Sequence, residues 1–266
     1  MNANMLKATV AVIVLGGAVA AYFYLQQSTP PAVTSAPPPQ ITQAVKAPVA
    51  QVIVAPPSTN PLPGLNESDS YMLDALAVLI SNKSLMQLFH TERIIRNIVA
   101  TIDNLPQMKL PSRILPVEQP SGKFIAAMDA SELVISPKNA ARYTPYINLA
   151  EAFDTTQLVG LYVRLYPLFQ QAYAELGYPN KYFNDRLLEV LDDLLDAPDI
   201  KEPVKLVRPE VYYLFADSDL EELPIGQRIL MRTGSKNEAT LKAKLLAIKQ
   251  ELKLHLQDKK LGQTEQ

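Results

Sequence analysis

The stretch from residue 154 to residue 197 constrains the fold more than any other part of this chain, because it encodes two helices joined by a tight turn. Asp154 stands three residues before Gln157, which is a variant of the helix capping box. Gly177 supplies a left-handed residue that ends the first helix, and a second amphipathic helix follows it. The core-facing stripe of the first helix is expected to consist of Leu158, Leu161, Leu165, Leu168, Ala172 and Leu176.

Residues 8–25 form an uncharged, mostly apolar run at the lower end of the length that spans a bilayer. Lys7 precedes this run and the next charged residue is Lys46, so the positive-inside rule places residues 1–7 in the cytoplasm. A cleaved signal peptide is the alternative, since Ala18-Val19-Ala20 fits a small-x-small cleavage site. We expect an uncleaved transmembrane anchor, because the apolar run continues past that site. Small residues within it can pair two copies of such a helix, but nothing else supports a homodimer.

A proline-rich segment, residues 26–65, follows the apolar run and holds ten of the 22 prolines in the chain. Its composition cannot bury a core, so we predict a disordered linker. Residues 66–256 are long enough to form one domain with a sizeable core, and this domain is expected in the periplasm. Residues 257–266 are predicted to be a flexible tail.

Helical patterns dominate the domain. Ser68 or Asp69 is predicted to cap a first helix that runs through Ile80, and a second helical region runs from residue 84 to residue 103. Ser235 and Glu238 form a capping box at the start of the last helix.

Strand signals are confined to two places. Residues 123–136 contain two apolar runs on either side of an Asp-Ala-Ser turn, which predicts a small β-hairpin. Residues 204–216 are rich in β-formers but are interrupted by Pro209, which favours an edge strand. The predicted fold class is therefore mainly α, a helical bundle-like domain with a small β-hairpin, preceded by one transmembrane helix and a Pro-rich linker.

Composition excludes several classes of function. A formal net charge of −2 gives no strong attraction to nucleic acid, and the absence of cysteine removes thiol catalysis and Cys–zinc sites. No GxxxxGK[ST] motif is present, and His90 and His255 lie far from any nucleophile motif. We therefore expect no cofactor and no metal, and no catalytic residue can be assigned from the sequence.

Two acidic segments have a calcium-binding interpretation. The two helices predicted in residues 154–197 are called the central hairpin here. Its second helix carries an acidic face, and residues 217–222 begin like a calcium loop. The first is also what a solvated helix face looks like, and the second lacks the glycine at its sixth position. A solvated face and a helix N-cap are the simpler interpretations.

Arginine, tyrosine and aspartate gather around the central hairpin and form the candidate ligand- or partner-binding cluster. Its members are Arg142, Tyr143, Arg164, Tyr166, Tyr178, Asn184, Asp185 and Arg186. Guanidinium forks and tyrosine hydroxyls can line a pocket for an anionic or sugar-like ligand. The alternative is structural: Arg164 is neutralised inside the hairpin by Asp185 or Asp154, or further along by Asp192 or Asp193, and the tyrosines are core residues. In the same hairpin, Arg186 is expected near Glu175.

Several long phrases of the sequence resemble one known family. They are RNIVATIDNLP (96–106), NAARYTPY (139–146), the segment 165–195, and YLFADSDLEEL with GQRILMRTG between residues 213 and 234. These phrases look like the proteobacterial "domain of unknown function 3014" family, and the similarity covers most of residues 62–253. The resemblance implies an inner-membrane protein with a single N-terminal span and a periplasmic domain. It implies no activity, so no catalytic residue follows from it.

Together these features predict a membrane-anchored periplasmic interaction or scaffold module of the bacterial cell envelope. Its expected partners are the lipid bilayer, through the N-terminal helix, and an envelope protein. The alternative function is that of a periplasmic enzyme or receptor that acts on an envelope glycan or peptide through the Arg/Tyr/Asp cluster.

Overall fold

The computed structural model describes residues 49–53, 61–201 and 203–260 of the 266-residue chain. The predicted cytoplasmic N-terminus, residues 1–7, and the predicted anchor, residues 8–25, lie outside the described residues. Within the described ranges, no helix is both long enough and apolar enough to cross a membrane.

The described residues form nine α-helices and three two-stranded antiparallel sheets. The helices are α1 (Ser68–Leu79), α2 (Lys83–Met86), α3 (Ile94–Asn104), α4 (Thr144–Ala152), α5 (Thr155–Glu175), α6 (Phe183–Leu195), α7 (Ser218–Glu221), α8 (Ile225–Arg232) and α9 (Ser235–Leu254). The strands are β1 (Val49–Ile53), β2 (Ala126–Asp129), β3 (Glu132–Ile135), β4 (Leu206–Val207), β5 (Leu214–Phe215) and β6 (Leu256–Lys260). The pairs are β1 with β6, β2 with β3, and β4 with β5. The mainly α fold class is confirmed.

Helix α5 lies at the centre of the domain and contacts α1, α3, α6 and α9. The side chain of Asp154 accepts a hydrogen bond from the backbone N–H of Gln157 at 2.9 Å, which confirms the predicted N-cap. Gly177 has φ 122°, so the predicted left-handed residue follows the helix. The two helix ends were predictable because each depends on a residue close by in the sequence.

The buried face of α5 agrees only in part with the predicted stripe. Leu165, Leu168 and Ala172 of that stripe are buried, but Leu176 keeps 42% of its surface exposed. Val159 and Val163, outside the stripe, are buried as well. Because α5 is apolar around most of its circumference, periodicity alone does not identify the face that packs inward. The most extensive contacts of α5 are with α3 and α9 rather than with α6.

The second predicted helical region, residues 84–103, is broken into α2 and α3. Residues 87–93 between them are not helical, and Arg93, the residue before α3, has φ 55°, a left-handed conformation. Asp69 accepts hydrogen bonds from the backbone N–H of Arg93 at 2.6 Å and of Ile94 at 2.8 Å. Asp69 therefore caps α3, a helix 25 residues further along the chain, and not the helix in which it lies.

The Glu238 half of the predicted capping box is wrong, because neither carboxylate oxygen of Glu238 accepts a hydrogen bond from the backbone N–H of Ser235. The N-cap position of α9 is Gly234, which has no side chain. Glu238 turns inward instead, where 2% of its surface is exposed and Oε1 lies 3.6 Å from the ammonium of Lys242. Glu238 therefore pairs with Lys242 inside the domain and does not cap the N-terminus of α9.

The hairpin predicted in residues 123–136 is confirmed as β2 and β3. Ala130 and Ser131 between the strands have φ 42° and 78°, which suits a tight two-residue turn. Residues 204–216 supply the short β4–β5 pair. Sequence reasoning placed residues 49–53 in the linker, but they form β1 and pair with β6, from Val49 with Lys260 to Ile53 with Leu256.

Candidate functional site

A polar cavity of about 360 Å³ lies beside the turn between α5 and α6. The last turn of α3, the C-terminal half of α5, the α5–α6 turn and the first two turns of α6 supply its walls. These elements contribute Asp103, Tyr173, Tyr178, Asn180, Lys181, Tyr182, Asp185, Arg186 and Glu189. The term polar cavity refers to this set of residues below.

A nearly buried ion pair between α3 and α6 forms the floor of the polar cavity. Arg186 Nε donates to Asp103 Oδ1 at 2.9 Å, and Nη2 donates to the backbone oxygen of Asp103 at 2.7 Å. The two side chains are 15% and 13% exposed. The third nitrogen, Nη1, lies 3.0 Å from Oε1 of Glu189 at the outer edge. Burial alone lowers the pKa of Arg186, but hydrogen bonds and charges from Glu189 and Asp103 outweigh it and raise the pKa.

Two stacked tyrosines form the wall next to this ion pair. The rings of Tyr173 and Tyr178 have centroids 4.7 Å apart, and the Tyr178 hydroxyl donates to Asp103 Oδ2 at 3.3 Å. The ammonium of Lys181 lies 5.2 Å from the Tyr178 ring centroid. Burial, together with the charge of Asp103, raises the pKa of Tyr173 to about 12. The hydroxyl of Tyr173 is therefore a neutral hydrogen-bond donor at physiological pH.

The lining of the polar cavity offers carboxylates, tyrosines and one paired arginine to a ligand. Arg186 is already neutralised by two carboxylates, so it attracts an added anion only weakly. Tyrosine hydroxyls beside carboxylates suit a ligand with hydroxyl or amino groups. Histidine, serine and cysteine are missing from the described lining residues, so these provide no nucleophile with an adjacent imidazole base. In the described part of the chain, no group of three or more His, Cys, Asp or Glu side chains could hold a metal ion.

A family model described as "Protein of unknown function (DUF3014)" matches residues 94–249, which is more than half of the chain. The chain belongs to the DUF3014 family. The matched region contains every residue that lines the polar cavity. No curated protein and no solved structure matches the sequence.

The polar cavity of this DUF3014 protein brings together three of the eight residues in the predicted cluster, namely Tyr178, Asp185 and Arg186. Tyr166 and Asn184 are buried in the core nearby. The Tyr166 hydroxyl donates to Gln170 Oε1 at 3.0 Å, and Asn184 Oδ1 accepts from the Tyr162 hydroxyl at 2.6 Å. Gln170 Oε1 also accepts a hydrogen bond from the backbone N–H of Phe183, so both groups connect α5 to the start of α6.

Arg142 and Tyr143 belong to a different part of the DUF3014 domain. The guanidinium of Arg142 donates to three backbone oxygens of residues 120–122 and to Asn139 Oδ1 at 3.1 Å. Its carbon Cζ also lies 5.7 Å from the centroid of the Tyr143 ring. Arg142 thus holds the loop before β2 in place, and neither residue lines the polar cavity.

Arg164 is exposed, so the predicted burial of its charge inside the hairpin is wrong. Arg164 lies on the side of α5 that faces solvent, and its guanidinium lies 5.5 Å from the ring centroid of Tyr71 in α1. Two of the suggested carboxylate partners are used elsewhere, since Asp192 pairs with Lys249 and Asp193 accepts from Gln227.

The predicted proximity of Arg186 and Glu175 is also wrong. Glu175 pairs with Arg96 of α3, with Oε2 at 2.6 Å from Nη2, and this hydrogen bond lowers the pKa of the Glu175 carboxyl. Helix α3 therefore supplies one partner to each helix of the hairpin, Arg96 to α5 and Asp103 to α6.

Asp103 is a lining residue of the polar cavity that sequence reasoning missed. It lies in the last turn of α3, where a negative charge opposes the helix dipole. A carboxylate in this position therefore predicts a cationic partner from another element. That partner, Arg186, is 83 residues away in the sequence.

Proposed function

We propose that this DUF3014 protein is a membrane-anchored interaction module of the bacterial cell envelope. Its first seven residues lie in the cytoplasm, residues 8–25 span the inner membrane once, and the folded domain lies in the periplasm. Support comes from the uncharged run that follows Lys7 and from the proline-rich residues 26–65 behind it. The linker holds the domain away from the bilayer, where it reaches an envelope partner.

The observation that carries the interaction role is the construction of the polar cavity. Stacked tyrosines, an arginine held by two carboxylates and exposed side chains at Lys181 and Asp185 form a rigid surface with a polar edge. Aromatic and arginine side chains are enriched where proteins recognise partners. An ordered ion pair below them keeps the ring positions fixed, so that binding orders few side chains.

A fusion experiment tests the membrane topology. Alkaline phosphatase joined after Gln266 should be active and should sediment with the membranes, and a matched fusion without residues 8–25 should be inactive. An inactive full-length fusion overturns the proposed topology. An active fusion released into the soluble periplasm, and cut after Ala20, supports a cleaved signal peptide instead.

Site-specific photocrosslinking in cells tests the interaction role. A photoreactive amino acid at Lys181, on the polar cavity, should give one dominant protein adduct identified by mass spectrometry. The control is the same amino acid at Tyr212, which is 77% exposed and lies between β4 and β5. Equal adducts from both positions, or none from Lys181, contradict a partner at the polar cavity.

The tyrosine stack beside carboxylates also supports a second candidate, an enzyme or receptor that takes an envelope glycan or peptide. Sugar rings pack on aromatic faces while their hydroxyls bond to carboxylates. Cell-wall glycan fragments should then change the tyrosine fluorescence of the wild-type protein and leave that of a Tyr178→Ala variant unchanged. Shortened fragments in the mixture favour an enzyme, and intact bound fragments favour a receptor.

A further inference from the structure

An apolar cavity of about 400 Å³ lies among the helices and shares no lining residue with the polar cavity. Helices α1, α3, α4, α5, α6 and α9 all contribute to its walls. Leu165, at 0% exposed, and Leu252, at 1% exposed, lie on two of those walls, in α5 and α9. Most helices of the family region therefore meet at this cavity.

The walls of the apolar cavity are hydrocarbon and aromatic. The lining includes two tyrosines, and both hydroxyls are already bonded to protein: Tyr146 to the backbone oxygen of Glu118 at 2.7 Å, and Tyr162 to Asn184 Oδ1 at 2.6 Å. Water in a protein interior needs about two to four polar partners, and an apolar cavity of about 150 Å³ already takes up benzene. The larger volume here suits a hydrocarbon ligand better than water.

Lining residues of the apolar cavity extend along much of α9. Leu241 and Leu252 both line it and are eleven residues apart, which corresponds to about 16 Å, or about three turns, along the helix axis. This length gives room for an extended hydrocarbon chain.

One cation lies on the wall of this cavity. Lys244 is the charged member of the described lining residues, and its ammonium donates a hydrogen bond to the backbone oxygen of Phe153. An ammonium group has three N–H donors, so others are left for a ligand. A carboxylate or phosphate oxygen beside Lys244 would be fixed by charge and hydrogen bond together.

We propose that the apolar cavity binds a long acyl chain whose anionic head group pairs with Lys244. The extent of the lining along α9 suits an extended chain, the walls select hydrocarbon, and the lysine selects an acidic head group. A free fatty acid and an anionic membrane phospholipid share this chemistry. The mass of the bound species distinguishes the two sources.

Photolabelling of the full-length protein in its own membranes tests this binding. Isolated membranes are incubated with a fatty acid that carries a diazirine near its methyl end, irradiated, and digested for mass spectrometry. Labelled peptides should come from α5 and α9. When cells are grown on the same acid and then irradiated, the adduct should have the mass of either the free acid or a phospholipid that contains it. Label that is absent from α5 and α9 overturns the proposal.

Cavity-filling variants make the test specific. Ala150 lines the cavity, so Ala150→Phe should reduce the labelling of α5 and α9 at least tenfold, whereas Ala77→Phe on the exposed face of α1 should not. A thermal melt establishes that each variant is folded, and Leu161→Trp replaces Ala150→Phe if that variant is not. Unchanged labelling in a folded cavity-filled variant overturns the proposal.

The role of Lys244 is tested by comparing two probes. Lys244→Gln should reduce labelling by the fatty acid several-fold and leave labelling by its methyl ester unchanged, because the ester carries no charge. Equal loss for both probes would mean that the lysine only shapes the wall, which contradicts the head-group assignment.

Discussion

The ion pair between Asp103 and Arg186 yields a sharp stability prediction. Arg186→Met keeps most of the packing of the aliphatic part of the side chain but removes the guanidinium. The carboxylate of Asp103, which is 13% exposed, then keeps the hydrogen bond from the Tyr178 hydroxyl at 3.3 Å but loses the bonds from Arg186. The backbone oxygen of Asp103 also loses its donor. Breaking a buried pair on one side costs about 3–5 kcal/mol, and the partial exposure here reduces the expected loss to about 2–4 kcal/mol. Glu189 adds little, because its side chain is 66% exposed.

Urea denaturation and thermal melting measure this loss. For a domain of this size, about 3 kcal/mol corresponds to a fall in melting temperature of about 6–12 °C. A double-mutant cycle with Asp103→Asn should give a coupling free energy of about 1–3 kcal/mol. Replacement of the whole pair, as Asp103→Leu with Arg186→Met, should restore stability to within about 1 kcal/mol of wild type.

Arg164→Met is the matched control, since the same chemical change is made on the neighbouring helix at an exposed position. Its contact with the Tyr71 ring contributes about 0.5–1 kcal/mol, so the loss should stay below about 1 kcal/mol. If Arg186→Met costs no more than Arg164→Met, or if the coupling to Asp103 is zero, the ion pair does not support the polar cavity as argued.

Three further predictions rest on backbone geometry and titration. Gly160→Ala inside α5 should raise the free energy of unfolding by about 0.5–1 kcal/mol, because an added Cβ contacts no other atom. Gly177→Ala should lower the free energy of unfolding by about 1 kcal/mol, because φ is 122° at this residue. Denaturation curves that show effects of the same sign for both variants contradict this. Burial raises the pKa of the Glu238 carboxyl, so the charged form weakens folding and Glu238→Gln should raise the melting temperature at pH 7; the gain should shrink as the pH falls toward 4.5. The raised pKa of Tyr173 contributes stability that is present below pH 10 and lost as the pH rises to about 12, and Tyr173→Phe should flatten this part of the pH–stability curve.

Local sequence chemistry predicted the parts of the fold that depend on near neighbours. The cap at Asp154, the left-handed Gly177 and the two-residue turn at Ala130 and Ser131 each use residues within a few positions of one another. Such features follow from backbone sterics and short side-chain hydrogen bonds. Their positions were therefore predictable without knowledge of the packing.

Packing partners far apart in the sequence were not predictable in the same way. Asp103 meets Arg186 because α3 crosses the start of α6, and no periodicity encodes that crossing. The exposure of Arg164 was missed because the apolar surface of α5 extends almost around the helix, so the pattern did not separate its solvent side from its core side. Three of the eight cluster residues nevertheless line the polar cavity, because the turn after Gly177 folds them together.

The hydrogen bonds from Arg93 and Ile94 to Asp69 change where the folding unit of the DUF3014 protein begins. The family match starts at residue 94, so the first turn of α3 depends on a carboxylate that lies outside the matched region. A cap of this kind stabilises a helix by about 1 kcal/mol, and Leu65 and Met72 add buried surface from the same upstream segment. A truncation at residue 94 would expose unpaired N–H groups and open one wall of the apolar cavity. An expression fragment that starts at or before Leu65 retains both.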